Sequence, residues 1–136
     1  QTVAQKVEQA LSQNILPLVC VQGKDTPVPQ SVKLIAYEPV FAIGTGTPDT
    51  PENTDKVAFQ VKSMKSELNI LYGGSVTSQN CQSFVNQENV SGLLIGKASL
   101  DADEFLKIVQ NCAKASSPRR RGSNRLLTVG PRSNFL

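Results

Sequence analysis

The sequence holds no histidine, no tryptophan, a single methionine and three cysteines among 136 residues. Lacking imidazole, and with Cys20, Cys81 and Cys112 widely spaced and odd in number, it offers no CxxC pair and no zinc-ligand set, so no metal centre is expected. The cysteines read instead as small buried hydrophobes of a reducing compartment. No apolar run approaches the roughly 20 residues that cross a bilayer, so no membrane partner is expected. No secretory signal is visible, yet the chain opens at Gln1 without Met, which leaves a leader open and reads as a fragment or a processed product.

Acidic residues are missing from one end. Residues 116–136 carry five Arg (Arg119, Arg120, Arg121, Arg125 and Arg132) and no Asp or Glu, whereas residues 1–115 carry nine Lys against eleven acids. The net charge of +3 therefore belongs to the tail, and the mildly acidic body gives no electrostatic reason to expect nucleic acid. Two regions follow: a body over 1–115 and a basic tail over 116–136. The tail loses apolar periodicity and reads as a disordered or non-native extension.

What is present is an alternation of elements. Gln1 to Gln13 reads as a helix with Val3, Val7, Ala10 and Leu11 on one face. Leu16 to Val21 is an apolar run ending at Gly23, a buried strand. Lys24 to Ser31 is a loop, and Val32 to Tyr37 is a second strand stopping at Glu38-Pro39. After a Gly-rich connection, Thr50 suits an N-cap and Pro51 the first helical position. Val57, Val61, Met64 and Leu68 then predict an amphipathic helix. Asn69–Tyr72 and Gly92–Gly96 are further strands. Between them Thr77 is positioned to cap a short helix bearing Cys81, Phe84 and Val85. Asp101 and Glu104 suggest a capping box for a last helix with Phe105, Ile108, Val109 and Cys112 inward. Four short apolar strands alternating with helices predict an α/β fold with a parallel sheet buried on both faces. Ligands of such folds bind at the carboxyl ends of strands.

Candidate chemistry clusters at those ends. Glu38 is a strand-end carboxylate, a candidate general base or a plain solvated charge. Pro39 stiffens the start of the following loop, while Thr45 and Gly46 can absorb a swing at its far end. Val40, Phe41, Ala42 and Ile43 offer an apolar cover, and Gly44 a backbone N–H without a Cβ in the way. Gly73-Gly74-Ser75 allows close backbone approach to an anion, through the Ser75 N–H and hydroxyl, although GGS is also a common turn.

The run Ala36-Tyr-Glu-Pro-Val-Phe-Ala-Ile-Gly-Thr-Gly46 closely resembles the signature of triosephosphate isomerase, and Tyr72-Gly-Gly-Ser-Val76 and Gly92-Leu-Leu-Ile-Gly96 follow in that family's order. The resemblance covers residues 1–115 and implies the second half of a (β/α)8 barrel, about four parallel strands with their helices. It implies an aldose–ketose isomerase of triose phosphates with Glu38 as catalytic base. Pro39 to Gly46 would be the lid, and Gly44, Ser75, Gly96 and Lys97 would hold the substrate phosphate. The family needs no cofactor, works in the cytoplasm in glycolysis and gluconeogenesis, and is a homodimer. Three departures stand out. Lys97 replaces the usual second glycine, and either adds charge near the phosphate or faces solvent. The Lys24–Ser31 connection is too short for the usual crossover helix. The family's catalytic His and Lys lie upstream. An isolated chain is thus expected to be inactive, and a catalytically silent phosphate-binding half-barrel is the alternative.

Overall fold

The computed structural model describes residues 2–115 and, for the backbone alone, 126–129. The five arginines of the tail lie outside the described residues, as does its expected disorder except at 126–129. In chain order the elements are α1 (Val3–Ser12), β1 (Leu18–Val21), β2 (Leu34–Tyr37), α2 (Pro51–Met64), β3 (Asn69–Tyr72), α3 (Cys81–Val85), β4 (Gly92–Ile95), α4 (Ala102–Lys114) and β5 (Leu126–Val129). Short 3-10 turns at Val40–Ala42 and Lys97–Leu100 follow β2 and β4. The strands lie in sequence order in one sheet, and every neighbouring pair is parallel.

Period-two alternation divides the side chains between two faces. Val19, Val21, Ile35, Tyr37, Ile70, Tyr72, Leu93 and Ile95 pack with Val7, Ala58, Val61, Phe84 and Ile108 in the larger core under the helices. Fully burying an Ile or Leu side chain is worth about 1.5–3 kcal/mol, so this layer carries most of the cohesion. Tyr72 and Phe84 stack there with ring centroids 4.1 Å apart. The opposite face holds a thin cluster of Leu34, Ala36, Leu71 and Leu94, with Leu18 against it.

The helix starts follow from local chemistry. Thr2 and Gln5 exchange both bonds of a capping box that sequence reading passes over. The Thr50 side chain accepts from Asn53 N at 3.1 Å with Pro51 at the first helical position, as expected. The α2 face is shifted from the expected one. Thr54, Ala58 and Val61 are buried, Met64 is 58% exposed at the last turn, and Leu68 is buried beyond the helix. Thr77 does not cap α3. Asn80 precedes that helix, and its side chain accepts from Thr77 N (2.8 Å) instead. Asp101 caps α4 by accepting from Glu104 N (3.0 Å), but the expected box is half-made, because the Glu104 carboxylate turns to Ser78 N and Oγ.

Three features bear on the strands. The connection 22–33 between β1 and β2 has no helix, as its length predicts. Cys81 is buried and Cys112 packs partly against the core, whereas Cys20 is exposed on edge strand β1, contrary to the expectation for all three. The sequence pattern predicts no strand beyond residue 115, yet Leu126–Val129 pairs along the whole of β4, from Gly92 with Leu126 to Ile95 with Val129. An unpaired β4 would present a row of open N–H and C=O groups, which a short apolar, β-branched segment satisfies.

Candidate active site

The carboxyl ends of β1 to β4 form one rim, and backbone bonds continue the ladder into it. Glu38 N donates to Val21 O (2.8 Å) and Gly73 N to Tyr37 O (2.9 Å). Alternation puts residues 34, 36 and 38 on one face. Glu38 therefore leaves the sheet on the thin-cluster side, at the mouth rather than under the helices. Its half-buried side chain lies across Gly73: a Cβ built there would stand 2.8 Å from both Cγ and Oε1 of Glu38. Only glycine leaves the carboxylate this room.

Pro39 is buried with φ −63°, and the Val40–Ala42 turn that follows is closed by Ala42 N donating to Pro39 O at 2.9 Å. The apolar cover expected of this segment is divided. Ala42 is fully buried and Ile43 half-buried, while Val40 and Phe41 are 60% and 57% exposed. Gly44 (φ +67°) and Gly46 (φ +81°) both adopt the left-handed conformation that a side chain would strain. Between them the Thr45 hydroxyl donates to Phe41 O (2.9 Å) and accepts from Thr47 N (3.1 Å), folding the loop on itself.

The loop after β3 meets the segment 39–46 directly. The Ser75 hydroxyl donates to Ala42 O (2.8 Å) and accepts from Gly46 N (3.2 Å), so that segment is tied to the glycine loop at two points. The hydroxyl expected to reach a phosphate is thus engaged with the segment expected to be the lid. Ser75 itself takes φ +30°, braced by Asn80 Nδ2 donating to its carbonyl at 3.0 Å. Gly74 sits under the contact: a Cβ on it would meet Tyr72 Oη at 2.7 Å and the Ala42 Cβ at 3.0 Å.

Glu38 thus lies beside Gly73, and the segment 39–46 is hydrogen-bonded to Ser75 two residues further on. Gly96 and Lys97 stand at the same rim, at the end of β4. Gly96 precedes the Lys97–Leu100 turn and its carbonyl accepts from Ser99 N (3.0 Å) and Ser99 Oγ (2.7 Å). The Lys97 side chain is exposed.

Sequence reasoning missed the group behind the lid. Tyr37 and Tyr72 point into the larger core, and both hydroxyls find Asp49, which is 7% exposed. Burial, then the Asp49 carboxylate, pushes the Tyr37 phenol far up, and burial first of all pushes Tyr72 up to about 12. The signal was available: two phenols at strand ends, on the helix-facing parity, must find polar partners. Among the described residues no cluster of acidic, Cys or His side chains could hold a metal ion, and no helix is long and apolar enough to cross a membrane.

Known proteins are similar to this chain in sequence. A family model described as triosephosphate isomerase matches residues 25–112. A triosephosphate isomerase of Aquifex aeolicus is 37% identical over 139 aligned residues, covering 80% of this chain and 56% of that protein. One from Mesomycoplasma hyorhinis is 38% identical, covering 76% and 51%, and one from Wolbachia pipientis wMel is 35% identical, covering 82% and 54%. The chain thus spans about half the length of the curated relatives it matches. A match over most of the described body, at this identity, shows that the chain belongs to the triosephosphate isomerase family.

Proposed function

We propose that the chain supplies the base-bearing half of an isomerase site that interconverts D-glyceraldehyde 3-phosphate and dihydroxyacetone phosphate. One observation carries the reading. Glu38 lies against Gly73, at the start of the glycine loop, and the lid beginning at Pro39 is hydrogen-bonded to Ser75 of that same loop. Base, lid and anion loop form one contact set, as a phosphorylated substrate held beside a general base requires.

In this reading Glu38 takes a proton from one substrate carbon and returns it to the neighbouring one, passing through an enediol(ate). No metal or organic cofactor enters the step. The Gly44, Ser75 and Gly96 amides bind the phosphate, with the Lys97 ammonium at the rim. Ser75 contributes through its backbone N–H, because its hydroxyl serves the lid. Closure of 39–46 keeps water from the enediol(ate) and so suppresses side reactions. The electrophile that polarises the carbonyl must come from elsewhere, since the chain has no His. Losing an acid–base partner typically costs about 10²–10⁴ in rate, so turnover by the chain alone should be negligible. A cytoplasmic homodimer is the assembly proposed for the complete enzyme.

The test is completion of the barrel. Mixed with the N-terminal half of a relative such as that of Aquifex aeolicus, the chain should gain isomerase turnover, and Glu38→Gln in the mixture should remove most of it. The missing His favours a second reading, a silent phosphate-binding half-barrel. Phosphate binding by the chain with no turnover in any completed mixture would establish that reading instead. Turnover by the isolated, purified chain near that of an intact isomerase would refute the half-site reading altogether.

A further inference from the structure

Asp49 is nearly buried, and a buried carboxylate is costly unless its oxygens are fully engaged. Here they are. Oδ2 accepts from the Tyr37 hydroxyl (3.0 Å), Asn53 Nδ2 (2.8 Å) and Thr54 Oγ1 (3.4 Å), and Oδ1 accepts from Thr50 N (2.8 Å) and Asn53 Nδ2 (3.1 Å). Its own N–H donates to the Tyr72 hydroxyl at 2.8 Å. These partners come from three elements. Tyr37 is the last residue of β2, directly before Glu38. Tyr72 is the last residue of β3, directly before Gly73-Gly74-Ser75. Thr50, Asn53 and Thr54 begin α2.

We infer that the Asp49 carboxylate is the latch of the lid: by clamping Tyr37 and the start of α2, it fixes the lid's C-terminal hinge in register with the strands that carry the base and the anion loop. Asp49 touches no reacting atom in this scheme; it is a positioning residue, and its catalytic meaning rests on the isomerase reading above.

The surroundings support a latch over simple helix-start support. Thr50 already caps α2 through its hydroxyl, so the helix does not need the Asp49 carboxylate for its cap. Both phenols are held rigidly, Tyr72 by its stack on Phe84 and Tyr37 by a tilted contact with Tyr72 at 6.3 Å between centroids. They are therefore fixed posts rather than adaptable partners. Gly74 carries no Cβ where one would stand 2.7 Å from the Tyr72 hydroxyl, which leaves that hydroxyl room beneath the anion loop. At the other end Pro39 is buried, and midway Ser75 ties the loop at Ala42 and Gly46. Asp49 supplies the remaining anchor. Without it, residues 47–49 can swing and the ties at Ser75 lose their geometry.

The test uses the whole chain and hydrogen exchange. In Asp49→Ala, the amides of 43–49 should exchange about tenfold faster or more, the equivalent of losing one or two net hydrogen bonds. Core amides of β2 and β3 should hold their rates. Asp49→Asn keeps one acceptor oxygen for Tyr37 and should recover most of the protection. Tyr37→Phe keeps the carboxylate and removes one post, so it should give an intermediate acceleration even if Asp49→Ala fails to fold. The chain has two tyrosines and no tryptophan, so near-ultraviolet circular dichroism should also report the loosened phenols. Faster exchange confined to the first turn of α2 in Asp49→Ala, with the amides of 43–49 unchanged there and in Tyr37→Phe, would overturn the latch. Absence of turnover in a completed wild-type barrel would sink the isomerase reading and leave the exchange result standing.

Discussion

Replacing Gly73 by Ala adds one methyl group where the proposed general base needs space. The new Cβ would lie 2.8 Å from Cγ and Oε1 of Glu38 and 3.2 Å from its Cδ. Carbon contacts are comfortable at about 3.5–4.0 Å, so the side chain must retreat by roughly 0.7–1.2 Å. Gly73 is not among the glycines with positive φ, so the Ala backbone carries no such strain. The thing that yields is a half-buried side chain at the rim. Stability should fall by at most about 1–2 kcal/mol, at the low end of overpacking. Catalysis should fall further, because a base misplaced by about 1 Å can lose on the order of 10² in rate. In a completed barrel, Gly73→Ala should therefore lower kcat about 100-fold with a small change in melting temperature. Glu38→Asp withdraws the carboxylate by one methylene and relieves the Oε1 and Cδ contacts, while a carbon stays at the Cγ position. The double variant should thus be less impaired than the product of the two single losses predicts. Unchanged kcat in a well-folded Gly73→Ala, or strict additivity in the cycle, would show that Glu38 does not work from this position.

Alkali should unfold the protein through its tyrosines. With Tyr72 pushed up to about 12 and Tyr37 higher still, the fold favours protonated phenols, so their stabilisation is complete below the unfolded value near 10 and disappears as pH rises from there toward 12. At 1.36 kcal/mol per unit Tyr72 alone is worth about 3 kcal/mol, and a urea midpoint flat from pH 9 to 11.5 would contradict this. Ser75→Ala removes both lid ties, about 1–2 kcal/mol together, and should speed exchange of the Gly46 amide. Its phosphate affinity should fall through the open lid, and equal loss in a variant whose lid exchange is unaltered would mean the hydroxyl binds phosphate directly. Truncation after Ala115 deletes β5, so β4 amides should exchange faster and the melting temperature should drop. Identical protection of Leu93 to Ile95 would show that the pairing contributes nothing.

The strand cores were legible because each is a short run whose alternation leaves no choice. Ile35 and Tyr37 must face the helices if Leu34 and Ala36 face inward, and the same parity places Glu38. The need for glycine in the loop after Pro39 was legible as well, since Gly44 and Gly46 both take the positive φ that only glycine adopts readily. What could not be read depends on which long-range partner wins. The Glu104 side chain has a local partner in Asp101 N–H and a distant one in Ser78, and the distant one prevails. The Ser75 hydroxyl looked available to a phosphate, yet a lid carbonyl and amide reach it first. Asp49 reads as a polar loop residue beside a helix cap until Tyr37 and Tyr72, 12 and 23 positions away, close on it. Strand β5 escaped because Leu126 to Val129 is as short as chance runs are, and only the open edge of β4 gives it a role.

The two sheet faces bear on why the proposed site has local support and yet needs completion. The helix-facing layer is a full core of large side chains, so the strands and their rim loops have a rigid support of their own. Among the described residues the opposite face carries Leu34, Ala36, Leu71 and Leu94 with Leu18, while Cys20 on the edge strand stays exposed. In a closed eight-stranded barrel such inward side chains interleave in layers drawn from alternate strands. Four or five strands supply only part of each layer. Ile15 and Leu16, 59% and 61% exposed just before β1, extend the same deficit along the open edge. The geometry of Glu38, Gly73 and the lid depends on the first face, and exclusion of water from Glu38 depends on completing the second. Completion should therefore change turnover by orders of magnitude while moving the exchange rates of the Asp49 and Ser75 contacts very little.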